Sequence, residues 1–537
     1  MALLCAASRD ACAQAGLDHL DDATVVPKGL LRLDAMSAWT RYDSRFAPPG
    51  SPKSTLPLGA PFSSDSFNLT TYPLLGAAQG AITQMAGAPF RLSMGAVRSV
   101  ADARVVTTPL AAEYGLTRRI TIGAMIPLVR TRTTLFVRAN PAGNEGNVGP
   151  NPAMVNASAL RQDSLVAAQL SGAAQALQQA LAACQSNPNA NANCGTLLAR
   201  PSDVTALVQQ ANTFATSVAL VYGSSGTGVR SPVVPIASSS TDAAIRQRLV
   251  QLDSSFRAFL NGGPMITASP VAAAGEAGVS DIENIVHSVT GIDSLRNFDH
   301  IGIGDIELSA KVLLVDQFTD SEPHGLATRA TFTGTYRLAT GQGPTPTNPL
   351  DIGTGNGTAQ LEGRVATYSQ FGRHFGLGAT AQLTHSLKSA PGPSPIPADL
   401  PFGVPYIPKY TPAAPSSWEI TVAPRLQVTP ALGAYLAWGL QHFDASSTAM
   451  PSLPFTTALL GGPGAYHDGI YSAAGNTRTI GFGVTYSTLL AFERGAKQLP
   501  VDIGFTHLEA SAGQAMMPKF FRDQIVVRLY ARVRKAG

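Results

Sequence analysis

The stretch "GDIELSAKVLL", Gly304 to Leu314, alternates without a break. Asp305, Glu307, Ser309 and Lys311 fall on one side; Ile306, Leu308, Ala310, Val312 and Leu314 fall on the other. A period of two residues is that of a β-strand with one wet face and one apolar face. A soluble sandwich turns the apolar face inward, whereas a membrane barrel turns it outward into lipid. Which face is inside decides the fold.

Working outward from this stretch, segments of the same kind recur. They run Leu30–Trp39, Arg104–Tyr114, Arg119–Val129, Gly304–Leu314, Leu326–Leu338, Thr358–Tyr368, Gly376–Leu387, Trp418–Val428, Gly433–Phe443, Thr477–Ser487, Leu499–Glu509 and Asp523–Arg534. Each is about as long as a membrane-spanning strand, and their number is even, as in single-chain bacterial barrels. The connections alternate in length. Short ones, such as "GLTR" and "TPAL", follow the even-numbered strands; longer ones, mostly rich in Gly, Pro and Asn, follow the odd-numbered strands. Short periplasmic turns and long outer loops produce that asymmetry; a sandwich has no reason to.

The charged residues answer the question of faces. Arg32, Asp34, Glu113, Glu307, Lys311, Arg329, Arg337, Glu362, Arg364, Glu419, Arg425, Arg528, Arg532 and Arg534 sit opposite the Leu, Ile and Val of their own strands. An arginine at the middle of a lipid-facing surface costs about 2–4 kcal/mol, and far less in a watery lumen. These residues are therefore expected to line a lumen. Nine basic against five acidic residues in that set imply a mild anion preference for an open pore. Trp39, Tyr114, Tyr336, Trp438 and Tyr486 are expected in interfacial aromatic belts. Pro109, Pro127 and Pro424 lie inside strands, where bulges are expected.

Bulk properties narrow the function. Of 537 residues only 13% are charged, about half the usual share, and the net charge is +4. No Lys/Arg cluster marks a nucleic-acid footprint. No run of ~18 apolar residues marks a transmembrane helix, which leaves barrel strands untouched. "MALLCAASRDACAQAG" reads as the remnant of a signal peptide, residues 1–15, ending in an A-x-A pattern. Cys5 and Cys12 leave with it. Cys184 and Cys194 then flank a short polar loop and are expected to form one disulfide, as an oxidising compartment allows.

Between the third and fourth strands lie residues 140–300, which lack barrel alternation. Ala157–Cys184, Asp203–Gly223 and Thr241–Gly262 are expected helices, the last ended by Gly262-Gly263. Ile245, Leu249, Leu252, Phe256 and Leu260 recur there at helical spacing. A further short helix is expected near Leu74–Met85. The insertion stands as an outer cap or folds down as a plug.

Catalytic and metal-binding patterns are not found. "GSSGTG" at Gly223–Gly228 lacks the preceding strand of a nucleophile elbow. His385 and Ser386 are adjacent in one strand and point to opposite faces, so no Ser-His set assembles there. Neither an enzyme nor a cofactor or metal site is expected.

The segments "PKGLLRLDAMSAWTRYDSRF", "TPLAAEYGLTRRITIGAMIPLVRTR" and "GIGDIELSAKVLL" resemble bacterial outer-membrane proteins of the phenol-degradation (meta-pathway) transporter-like family, related to long-chain fatty-acid channels. The likeness covers barrel portions and not the insertion. It implies a cell outer-membrane location and passage of small, hydrophobic molecules, and names no ligand residues. The expected fold is thus an all-β membrane protein: a closed antiparallel barrel of about 12 strands. Residues 16–139 hold strands 1–3 with a helical outer loop, 140–300 the helical insertion, and 301–537 strands 4–12. The expected function is a passive channel working as a monomer in outer-membrane lipid. The alternative is a non-conducting anchor that presents the helical unit as an extracellular interaction or structural cap.

Overall fold

A computed structural model describes residues 23–532 apart from 48–50, 70–74, 144–145, 226–229, 263–264, 291–296, 319–325, 344, 346–347, 349, 356, 388–415, 444–474, 494–498 and 515–516. The expected signal peptide and Arg534 lie outside the described residues. Twelve antiparallel strands form one barrel: β1 (Leu30–Phe46), β2 (Val97–Gly115), β3 (Ile120–Ala139), β4 (Glu307–Asp316), β5 (Leu326–Arg337), β6 (Gln360–Phe371), β7 (Phe375–Ser386), β8 (Ser416–Gln427), β9 (Leu432–Phe443), β10 (Gly475–Ser487), β11 (Val501–Gly513) and β12 (Pro518–Arg532). Each pairs with its sequence neighbours, and β12 returns to β1, so the sheet closes. That last ladder runs from Leu30 opposite Arg532 to Arg45 opposite Pro518. Closure leaves no strand edge with unpaired backbone groups, the condition for a sheet in lipid. All twelve expected strands are present.

The first three strands are longer than the spanning length: 17, 19 and 20 residues, against 10 in β4 and 15 in β12. Their extra residues rise at the long-loop rim. Two short strands extend the wall there, Thr55–Pro57 on β1 and Phe298–Ile303 on β3.

The prolines behave differently from the expected bulges. Pro109 and Pro127 face each other across β2 and β3 in unshifted register. On the β1 side the ladder skips Met36 and Ser37 and resumes in the same register; the pairing of β8 with β9 skips Ala423 and Pro424 likewise. A missing N–H removes a ladder bond without requiring an extra residue. Only Pro127 has a bulge, and it lies on the partner strand. Leu128 pairs with Ile303 and Met125 with Glu307, so Gly304–Ile306 holds one residue more than β3 opposite.

This corrects the reading of the Gly304–Leu314 stretch, which was expected to be one unbroken strand with Asp305 in the lumen. Asp305 is fully buried and accepts the Gly341 N–H at 2.8 Å. The outer loop after β5 satisfies the freed backbone: Thr340 Oγ1 accepts Ile306 N–H at 2.8 Å and donates to Gly304 O at 2.9 Å, and Thr354 Oγ1 donates to Ile303 O at 3.0 Å. A Cβ on Gly341 would stand 2.6 Å from Gly355 Cα, so the two loop strands approach only as glycines.

Between β3 and β4 lie α2 (Ala157–Ser186), α3 (Cys194–Ala199), α4 (Pro201–Val221), α5 (Ser240–Leu260) and α6 (Val279–Thr290); α1 (Gly76–Ala86) follows β1. Asn156 caps α2 through Ser158 and Ala159 N–H, and Ser239 caps α5 through Asp242 N–H. The stop of α5 is Asn261 in the left-handed conformation, one residue before the expected Gly262. Cys184 and Cys194 are joined by a disulfide. Leu170 and Leu177 of α2, Phe214 and Val218 of α4, and Ile245 and Phe256 of α5 share one core with Ile82 and Met85 of α1. That core continues into Val97, Ala101, Ala103 and Val105 of β2 and Val129 and Leu135 of β3. The helical unit is therefore seated against the inner side of the barrel mouth.

Candidate functional site

Two surfaces of the barrel differ in chemistry. Along β2 the even-numbered residues are outside, with Leu110 50% exposed, while Val105, Thr107 and Pro109 are buried inside. The corresponding outward face of the other strands carries Ile122 and Ile126 on β3, Leu308 on β4, Phe332 on β5, Leu383 on β7, Leu436 on β9 and Ile525 on β12, all exposed. Every strand adds large apolar side chains to this outer belt. Trp39, Tyr336, Trp438 and Tyr486 are exposed on the same surface. An apolar belt around a closed antiparallel barrel matches a hydrocarbon layer and no aqueous one. The chain is an outer-membrane β-barrel.

Inside, charged side chains lie opposite the belt residues and are organised in two networks. At the short-turn end of β1 and β2, Arg32 holds Glu113 at 2.5 Å and Asp34 at 3.4 Å, and Arg528 of β12 lies 3.8 Å from Asp34. Nearby, Asp502 accepts the Tyr530 and Ser487 hydroxyls, each at 2.5 Å. The second network spans β4 to β7. Arg337 bridges Glu307 at 2.8 Å and Glu362 at 3.3 Å and donates to Gln360 at 2.6 Å. Arg364 joins Glu362 to Gln382, both at 3.1 Å. Guanidinium groups suit such positions, since one planar fork serves several acceptors at once.

The remaining sequence-selected residues are placed as follows. Arg425 stacks between Tyr368 and Tyr435, its guanidinium carbon 5.3 and 5.7 Å from their ring centres. Glu419 accepts the Thr421 hydroxyl at 3.3 Å. Arg329 bridges Asp316 at 3.1 Å and covers Phe318, away from both networks. Lys311 is half-buried on the Glu307 side of β4. Arg532 is exposed at the rim over Phe492. Sequence reasoning missed Asp502, Gln360 and Arg522, which is 5% exposed and donates to Thr40 at 3.1 Å. Asp502 was findable, because it alternates with Ile503 and Phe505; Arg522 lies one residue before the strand as drawn from sequence.

Of the three buried carboxyls of the helical unit, Asp163, Asp242 and Asp253, the first and the last behave oppositely. Asp163 of α2 is fully buried; Val271 N–H is bonded to Oδ1 at 2.8 Å, and Oδ2 has no partner. Burial pushes its pKa up to about 7, against the pull of the Val271 N–H. Tyr222, whose buried hydroxyl also lacks a partner, is pushed up by burial and by Asp242 and Asp163. Asp253 of α5 is buried as well, which raises its pKa, but Ile266 N–H, Arg257 and Met265 N–H outweigh this and hold it below the usual carboxylate range.

No family model and no curated protein matches the chain. Among solved structures it is similar to an outer membrane channel from Pseudomonas putida F1, at 10% identity and a TM-score of 0.39, covering 95% of this chain and 98% of that one. The Pseudomonas putida toluene transporter TodX matches at 10% identity and a TM-score of 0.23, covering 98% and 97%. A Pseudomonas aeruginosa FadL homologue matches at 9% identity and a TM-score of 0.24, covering 98% of each chain. The fold assignment rests on the strand pairing above and not on these likenesses.

Proposed function

We propose that this barrel is a passive channel for small molecules and that the helical unit in its mouth restricts access. The observation that carries the reading is the residual exposure of charged side chains inside a closed wall. Asp34, Arg364, Arg528 and Glu113 keep 13%, 14%, 16% and 21% of their side-chain surface accessible. Groups that only filled a solid core would keep none, so this exposure supports a wet lumen beside them. The selected inner charges are proposed to line that path. Among the described residues the apolar core of the helical unit meets the inner wall at the long-loop end of β1, β2, β3 and β12, through Tyr42, Val97, Leu135 and Phe520 among others, which supports a lid over one mouth in preference to a plug along the whole bore.

The solutes proposed are small and hydrophobic, as the resemblance of the quoted segments implies. The test is reconstitution into planar bilayers and liposomes of the full chain and of a variant in which residues 156–262 are replaced by a short Gly/Ser linker. The expected result is low conductance for the full chain, a marked increase for the variant, and faster liposome entry of a monoaromatic solute. Two tight, correctly folded barrels that pass nothing would overturn the channel reading and leave the anchor reading standing.

A further inference from the structure

At the upper edge of the apolar belt the outer wall of β1–β3 carries a row of arginines, with exposed Val100 and Phe136 further out. Arg41 pairs in register with Arg104, and Arg104 with Arg132, so three arginines stand side by side on adjacent strands. All three are exposed on the lipid-facing parity of their strands. Arg41 follows Trp39 by two residues; Trp39 lies opposite Val106 and Val106 opposite Arg130 in the row below, so the arginines start at the upper edge of the belt, with Arg130 level with Trp39. Like charges directly opposite one another destabilise a strand pair. The row is only partly neutralised from within, by Asp102 beside Arg104 and by Asp299, whose charge acts on Arg132 as well as on Arg130. Among the described residues Arg41 and Arg132 have no hydrogen-bond or ion-pair partner. Asp299 lies beside Arg132 in register, but its carboxylate takes two bonds from Arg130, at 3.0 and 2.8 Å. Asp102 lies 3.3 Å from Arg104 and also accepts the Thr134 hydroxyl. Further out, Arg98 faces Arg138, and among the described residues Arg98 pairs with an acid, Asp65, and Arg138 with none.

We propose that this face of the barrel binds the phosphate groups of an anionic lipid in the surrounding outer leaflet. The chemistry required is an amphiphile with phosphate at the height of the arginine row and acyl chains below it. Outward guanidinium groups supply charge-assisted hydrogen bonds to phosphate, and the exposed Leu110, Ile126 and Leu128 beneath supply the apolar wall for the chains. A soluble anion would use the arginines but not that wall. A fixed phosphate also turns the repulsion along the row into attraction.

The test uses the full chain in phosphatidylcholine vesicles with and without diphosphoryl lipid A, and Arg104→Gln, which removes the middle charge. Without lipid A, Arg104→Gln is expected to melt at or above the wild-type temperature, because repulsion is relieved. With lipid A present the order is expected to reverse. In detergent, lipid A is expected to bind the wild type at least tenfold more tightly than Arg41→Ser/Arg104→Ser/Arg132→Ser, with no such loss in Arg118→Ser/Arg119→Ser at the opposite rim. Equal loss in both sets, no preference over dephosphorylated lipid, or full displacement by inorganic phosphate at matched concentration would each overturn the proposal. Should the triple variant fail to fold, the reversal of order in Arg104→Gln decides by itself.

Discussion

Leu308 is 47% exposed on the outer wall, and Ser309 next to it lies opposite Gly123 on the inner parity of β3. Leu308 pairs with Ala124, at the centre of the outward row from Ile120 to Leu128. Leu308→Arg should therefore cost about 2–4 kcal/mol of barrel stability, while Ser309→Arg should cost far less. Denaturant titration of refolded protein, followed by heat-modifiable gel migration, measures both; equal effects would contradict the facing. This alternation was legible because a two-residue period survives in the sequence itself. The burial of Asp305 was not legible, although it lies three residues away. It follows from a bulge imposed by Pro127 on another strand and from Gly341 in a later loop, neither of which the local pattern contains.

At the scale of elements, the helices followed from composition and periodicity, with ends within about two residues of those expected, while the capping residues differ from those expected. Their pH behaviour depends on tertiary burial. Asp163 titrates near 7 when folded, above its unfolded value, so the folded state binds the proton more tightly. Its penalty is absent below about pH 4, grows as pH rises, and is complete above about pH 7. Asp163→Asn should remove it, stabilising the helical unit by up to roughly 4 kcal/mol at pH 8 and hardly at all at pH 4. Thermal melts of the helical signal at both pH values check this. Asp253 has the opposite sign: its contribution is present above the unfolded value and is lost as pH falls below it. The Cys184–Cys194 bond closes a loop of sequence separation 10 after α2. Replacing both by serine should cost about 2–3 kcal/mol by the chain-entropy relation. Proteolysis between α2 and α4 should then occur under conditions in which the bonded protein resists it.

For the whole molecule, stability in lipid depends on the pairing of the first strand with the last. Ending the chain at Met517 should remove β12 and expose the facing edges of β1 and β11 to hydrocarbon, at several kcal/mol for each unsatisfied group. No heat-modifiable, protease-resistant barrel should be recovered; recovery of one would mean that the closure drawn here is wrong. The strand count, the alternation of short and long connections and the helical interruption were all legible beforehand. They are local or statistical properties of the chain, written in its periods of two and 3.6 residues.

Which acid meets which arginine was not legible. The sequence alone determined that one face of each strand is greasy and the other charged, and that lipid belongs on the greasy side. Only the tertiary structure decided that Arg337 joins Glu307 to Glu362, and that the helices sit against the inner mouth. It also placed Arg41, Arg104 and Arg132 in one row. The reason is register: a period defines a face within one strand, but partners across strands depend on how far each strand slides before the barrel closes.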